Sequence, residues 1–326
     1  MLVFVIRRIV QSLFVMLIVA LIAFVLFNFL GDPISNMLSS EATAAERAQM
    51  RESLGLNDAF YVQFTRFVAN VVCGDLGLSY RLGHPVGRLL LERLPATLEL
   101  VVCAGVLALA LGVPLGVYTG LHRTAWLSHA FLAGSLLGVS LPTFLIGILL
   151  IFVFSVTLGW LPAFGRGDTV AFGWWTTGFL TVSGLRALIL PSITLTLWQL
   201  ALILRLVRAE MLEVLRTDYI KFARARGLSR RAIHFGHALK NTLVPVITIT
   251  GVQLGSLLAF AIITETVFQW PGMGLLFIEA VRFADVPVLA AYLVLVSVFF
   301  VVINLAVDLL YFVVDPRLRA NPGAVT

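Results

Sequence analysis

Long uncharged apolar runs alternate along the chain with shorter polar stretches. Six of the runs reach the roughly 20 residues a helix needs to cross a bilayer with its own backbone satisfied. They are Ile9–Leu30, Leu100–Leu121, Ala130–Leu158, Leu188–Leu204, Leu243–Thr264 and Val288–Val307. Pro114, Pro142, Pro191 and Pro245 lie inside these runs or at their ends, where kinks are tolerated if neighbouring helices satisfy the freed carbonyls. Arg7 and Arg8 precede the first run as in a signal peptide. Its apolar core is too long for one, however, and Gly31-Asp32-Pro33 offers no small-residue cleavage site, so a retained anchor is expected.

The stretch from Gly31 to Pro95 carries a shorter pattern. A helix is expected to open at Thr43, run through Glu46, Met50 and Leu54, and stop at Gly55. A second places Phe60, Phe64, Phe67, Val68 and Val71 on one face and stops at Gly74. That stripe suits a helix packed on the bundle or lying on the membrane surface, or else a docking surface for an external protein.

Composition agrees with the pattern: 60% of the 326 residues are hydrophobic and 12% charged, outside the usage of soluble domains. The net charge of +6 is gathered into one stretch rather than spread over a soluble face, so no nucleic-acid partner is expected. Arg7, Arg8, Arg123, Arg317, Arg319 and the set between Arg205 and Lys240 fall on one side of the membrane, against Arg166, Arg186 and Arg282 in the opposite short loops. Because cytoplasmic loops carry the positive excess, both termini are expected in the cytoplasm, with Trp160, Trp174, Trp175 and Trp270 near the outer interface. The two cysteines, Cys73 and Cys103, fall outside and within the bilayer, which argues against a disulfide framework. Neither lysine, Lys221 nor Lys240, closes a GxxxxGK[ST] phosphate loop, so ATP chemistry of that kind must belong to a partner.

The basic stretch between the fourth and fifth runs reads LRTDYIKFARARGLSRRAIHFGHALKNTLVPVIT, Leu215 to Thr248. Thr217 as N-cap, Asp218 in the first turn, and Arg224 and Arg226 before Gly227 all favour one short helix. Ser229 can cap a second helix through Ile233, Ala238 and Leu239 that leads to Pro245 and the fifth run. Tyr219, Ile220 and Phe222 beside the small residues Ala223 and Ala225 form a protruding anchor that could fit a groove on a soluble partner. An ordinary cytoplasmic loop, its arginines held by anionic headgroups, is the competing reading.

This elbow resembles the cytoplasmic coupling loop of ABC importer permeases, with the pattern E-A-A, three residues, G. Ala223 and Gly227 match it, while Lys221 and Phe222 stand in place of Glu and Ala. Asp218, Tyr219, Ala223, Arg224, Ala225, Gly227, Leu228, Ser229, His237, Ala238, Leu239, Asn241, Leu243 and Pro245 are similar to the dipeptide, oligopeptide and nickel branch in particular. So are Gly31-Asp32-Pro33, Gly74-Asp75-Leu76-Gly77 with Ser79, Leu94 to Leu100, Gly159-Trp160-Leu161-Pro162, Phe268 with Trp270-Pro271-Gly272, and Asp315-Pro316-Arg317.

The resemblance implies an all-α integral membrane fold of type I ABC importer architecture. It would have six transmembrane helices, both termini inside and a cytoplasmic coupling helix. It implies a non-catalytic subunit of a bacterial inner membrane importer. The partners would be a second related permease, two ATPases that bind ATP and Mg, and an external binding protein, with lipid around. Residues 1–31 would be the first anchor, 32–96 an extracytoplasmic helical segment, 97–314 the permease core with its coupling loop at 205–241, and 315–326 a cytoplasmic tail. Asp218, Tyr219, Phe222, Ala223, Arg224, Ala225, Arg226, Gly227, Leu228 and Ser229 would touch an ATPase.

Peptides, nickel chelates, glutathione and other small solutes all fall within the cargo of the branch. A zwitterionic peptide cannot pass hydrocarbon without stranding polar groups, so the second to sixth runs are expected to line an aqueous path. Gln199, Gln253, Ser256 and Asn304 are candidate lining residues, with an interhelical hydrogen bond as the alternative for each. An ion-coupled carrier would place carboxylates deep in the membrane. Only Glu99 and Asp308 approach the runs, both near the ends. An intramembrane hydrolase would need a base that the sequence does not supply, and no H-E-x-x-H occurs. His234 and His237 lack a third ligand nearby, so no metal site is expected.

Overall fold

The computed structural model describes residues 2–29, 43–53 and 57–314. Gly31-Asp32-Pro33, the Leu54-Gly55 helix stop, Asp315-Pro316-Arg317, the rest of the tail and the Asp308 side chain lie outside the described set. In chain order the helices are α1 (Leu2–Phe29), α2 (Ala44–Ser53), α3 (Phe60–Val72), α4 (Val86–Leu121), α5 (Trp126–Ser140) and α6 (Thr143–Leu150), which continues as a π-helical segment, Ile151–Thr157. Strands β1 (Val170–Phe172) and β2 (Trp175–Thr177) form an antiparallel hairpin. There follow α7 (Val182–Val214), α8 (Asp218–Ala225), a π-helical segment Ala232–Ala238, α9 (Leu239–Val267), α10 (Met273–Arg282) and α11 (Val286–Val314).

Among the described residues four helices are long and apolar enough to cross a membrane, and two bent pairs raise the number to six if each is one span. The run Ala130–Leu158 is not a single rod as the pattern implied: its two halves, Trp126–Ser140 and Thr143–Thr157, diverge by 108°. Pro142 explains the break, since it donates no backbone hydrogen bond and turns Leu141 away from helical geometry. The other bent pair, in α9, turns by 41° between Pro245–Gln253 and Gly255–Val267.

The second run also extends differently from its apolar limits. α4 starts at Val86, so the boundary drawn between residues 96 and 97 falls inside a helix of 36 residues. Arg88, Glu92 and Arg93 end the apolar run, yet they do not end the helix, and Arg88 pairs with Glu92 one turn on at 2.8 Å. At about 1.5 Å per residue α4 is about 54 Å long, against a hydrocarbon core of about 30 Å.

The outer segment behaves as its patterning suggests. Thr43 and Glu46 form a reciprocal cap on α2: the Thr43 amide donates to Glu46 Oε2 at 2.8 Å and the Glu46 amide to Thr43 Oγ1 at 3.3 Å. On α3 the aromatic stripe closes on buried Phe24 of α1, with Phe60, Phe64 and Phe67 rings 5.2 to 5.6 Å away. Phe67 and Val71 also pack on Ala290 and Val294 of α11. The stripe thus faces α1 and α11, with Phe60 at its start still 51% exposed.

In the bundle core, α4 lies directly against α7. A Cβ on Gly116 would stand 2.5 Å from Val207 Cβ, and those on Gly112 and Gly120, one turn to each side, 2.8 Å from Ile203 and 3.0 Å from Met211. Such small-residue stripes let membrane helices approach backbone to backbone, where dispersion rather than water exclusion holds them.

Candidate functional site

The elbow has the geometry its residues favour. Thr217 sits at the N-cap position of α8, although its hydroxyl donates to Val214 O at 2.6 Å instead of accepting from the helix. The helix ends in a Schellman turn, where Leu228 N–H reaches Ala223 O at 3.3 Å and Gly227 N–H reaches Arg224 O at 2.9 Å. Gly227 takes φ +78, the left-handed conformation that such a turn requires. Ser229 Oγ then accepts from Ala232 N–H at 3.2 Å and caps the following helical segment.

One face of α8 is committed to the bundle. Ile220 is fully buried and Ala223 nearly so, in a cluster with Ala108 and Val117 of α4, Val207 and Met211 of α7, and Val246 of α9. The opposite face is bare. Phe222 is 64% exposed, and Tyr219, Leu228 and Phe235 are exposed around it. Arg226 lies over the Phe222 ring at 5.8 Å, and Lys221 pairs with Asp218 at 2.7 Å. That exposed pair holds the Asp218 carboxyl below its ordinary range, through the Lys221 hydrogen bond first and its charge second. Two aromatic side chains of α8, Tyr219 and Phe222, are thus exposed, while Ala223 faces inward.

The four lining candidates occupy three settings. Gln199 is buried in the bundle, and among the described residues its amide has no hydrogen-bond partner. Gln253 and Ser256, both half-buried on α9, pair with each other within the helix: Ser256 Oγ donates to Gln253 Oε1 at 2.9 Å. Asn304 borders a cleft of about 160 Å³ between α11 and α1, beside Gln11 and Ser12.

Three buried carboxylates anchor polar clusters among the described residues, and of these only Glu99 stands out in the sequence. Glu99, on α4, is a buried ion-pair partner: Arg166 Nη2 donates to it at 2.6 Å and to Thr176 O at 2.7 Å, which pins the β1–β2 hairpin to the span. Its approach to the second run is accounted for by this pair. Between the hairpin tip and the outer end of α4 lies a cleft of about 670 Å³ bordered by Asp75, Arg88, Glu92 and Trp174.

Glu265, one residue past the expected end of the fifth run, is fully buried. It accepts from Thr97 Oγ1 at 2.6 Å and from Leu275 N–H at 3.0 Å in the first turn of α10, where a carboxylate suits the helix N-terminus. Any side chain at Gly272 would strike it. The Leu94-Pro95-Ala96-Thr97 and Trp270-Pro271-Gly272 motifs therefore meet in space: Trp270 Nε1 donates to Ala96 O at 2.9 Å. The signal for Glu265 lay in its distance from Trp270-Pro271-Gly272, which the apolar-run criterion ignores.

Asp285 forms the third cluster. It accepts from Ser79 Oγ and from the Tyr80 amide, the latter at 3.1 Å, fixing the loop after Gly74-Asp75-Leu76-Gly77 to the α10–α11 corner. Burial, and next the Asp285 charge, push the Tyr80 hydroxyl up to about 12.

Comparisons with known proteins agree with this arrangement. Residues 112–320 match the family described as binding-protein-dependent transport system inner membrane component, and residues 1–101 match its N-terminal companion. The dipeptide transport system permease protein DppB of Alkalihalophilus pseudofirmus is 36% identical over 335 residues, covering 98% of this chain and 100% of the relative. DppB of Escherichia coli K12 is 38% identical over 336 residues, covering 98% and 99%. The oligopeptide transport system permease protein AppB of Bacillus subtilis is 38% identical over 318 residues, covering 97% and 99%. An inward-facing structure of the MetNI methionine ABC transporter superposes with a TM-score of 0.57 at 20% identity, over 70% of this chain and 96% of that one, a likeness of fold. On these matches, which together run from the first anchor through the elbow to the last span, the chain belongs to the family of binding-protein-dependent transport system inner membrane components.

Proposed function

We propose that this permease subunit forms half of a path for di- or oligopeptides across the bacterial inner membrane. A second related permease supplies the other half, an external binding protein delivers the peptide, and two cytoplasmic ATPases drive the cycle. ATP and Mg belong to those ATPases, and both termini of this chain face the cytoplasm. The names of the relatives support the cargo class. The observation that carries the energy coupling is the two-faced elbow, with Ile220 and Ala223 sunk into the bundle and Phe222 projecting from it. A helix so built transfers force between a soluble partner and the spans as one rigid piece.

An external energy source also fits the buried carboxylates. Glu99 and Glu265 are each held by hydrogen-bond donors of the chain itself, as parts of the scaffold. Gln253 and Ser256, half-buried on α9, remain candidates for the path, and Gln199 joins them only in a state that opens the bundle around it.

The test is Phe222→Ala in the co-expressed transporter. Copurification of the ATPases should fall about tenfold or more, the loss of about 1.4 kcal/mol or more expected at an aromatic anchor. The permease should melt almost unchanged, because the ring is 64% exposed and lies under the Arg226 guanidinium at the surface rather than in the core. Undiminished copurification would remove the elbow from the docking role.

A further inference from the structure

The connection from α8 to the fifth span is compliant where force would have to pass. Ala232–Ala238 is π-helical, a form that occurs as a local irregularity rather than as a stiff rod. Six residues into α9 comes Pro245, which has no N–H to give to the carbonyl of Asn241, four residues earlier. A push on α8 that travelled along the backbone would have to cross this irregular stretch, beside the apolar cluster that joins Ile220 and Ala223 to Val246 of α9.

A side-chain contact bypasses that stretch. Asn241 Nδ2 donates to the Tyr219 hydroxyl at 2.6 Å and to His237 O at 3.2 Å. Tyr219 lies in the first turn of α8, and Asn241 lies in the first turn of α9, at the carbonyl that Pro245 releases. The hydroxyl of Tyr219 is thus turned back toward its own chain, whereas Phe222 projects away. We infer that Tyr219 and Asn241 are positioning residues that clasp the coupling helix to the fifth span, so that displacement of α8 reaches α9 without being lost in the π-helical connector. The inference rests on the proposed docking role of the elbow.

The test uses the full transporter with its ATPases and binding protein in nanodiscs. A polarity-sensitive fluorophore sits on Arg282→Cys at the outer end of α10, in a Cys73→Ser background. ATP–vanadate trapping should shift its emission in the parent complex. With Tyr219→Phe or Asn241→Leu the shift should fall several-fold, and the double variant should match Asn241→Leu, which already removes the shared bond along with the one to His237 O. In Asn241→Leu, which lies outside the residues expected to touch an ATPase, trapped nucleotide per complex, ATPase copurification and melting temperature should be unchanged, readouts that a lost ATPase contact or a damaged fold would move. A full shift in both single variants would overturn the clasp. So would a loss of shift accompanied by loss of trapped nucleotide, which would make Tyr219 part of the ATPase contact. Failure of the docking role is read separately, from Phe222→Ala, in which neither clasp residue is altered.

Discussion

Gly227 stands where a Cβ would meet nothing within 4 Å, so its requirement is conformational and not steric. Placing an ordinary residue at φ +78 costs about 1–2 kcal/mol, and more if the residue is β-branched. Gly227→Val should abolish copurification of the ATPases while the chain still inserts, whereas Gly227→Asn, which tolerates the left-handed region, should retain most of it. Equal behaviour of the two variants would show that the turn geometry is immaterial. His234, behind the same turn, is held below its ordinary value of 6.5 by burial first, and then by Arg224, Arg230 and His122. A depressed histidine leaves the fold at full strength above 6.5 and weakens it as pH falls, because the unfolded chain takes up a proton that the folded elbow resists. Thermal unfolding between about pH 7.5 and about pH 5.5 should therefore show a smaller drop for His234→Gln than for the parent. Gly227 and Ser229 were legible in the sequence because turn and cap chemistry is local. Glu265 and Asp285 were not, since the groups that hold them lie 168 and 206 residues away in the chain.

The approach of α4 to α7 sets the geometry of the bundle at the level of elements. Gly116→Val would drive methyl groups into Val207 and the Leu204 carbonyl, the latter 2.9 Å from the new Cβ. Overpacking of this kind costs about 1–3 kcal/mol, and the variant should melt at a clearly lower temperature in detergent than the parent. Gly134→Ala on α5, where a Cβ meets nothing, should melt like the parent. Apolar runs located the four long helices because hydrophobicity decides what enters lipid. They misjudged α4, whose outer end continues as a helix past Arg88 and Glu92, and they concealed the break at Pro142, because both stretches flanking it are equally apolar. The β1–β2 hairpin lies between the third and fourth runs, where apolar patterning carries no signal. Its fixing point is the Arg166–Glu99 pair, and nothing in either local sequence announces the other partner.

For the molecule as a whole, the sidedness expected from the arginines has a direct check. Cys73 is exposed beyond α3 and should react with a membrane-impermeant maleimide added outside right-side-out vesicles, whereas Phe222→Cys should react only after the membrane is opened. Labelling of both from the same side would reverse or discard the proposed topology. The length of α4 has a mechanical consequence. In the proposed topology the helix climbs about 33 Å from Leu121 to Glu99, enough to traverse the hydrocarbon, and Val86 to Leu98 would extend beyond it. That portion, with Val86, Leu90 and Leu94 buried against α10 and α11, borders the cleft by Arg88 and Glu92, and Glu99 at its foot grips the hairpin. A rod about 54 Å long that tilts by about 10° at its inner end swings its outer end through about 9 Å. Any such tilt would have to carry α10, α11 and the hairpin with it, since all three are fastened to the same end of the rod.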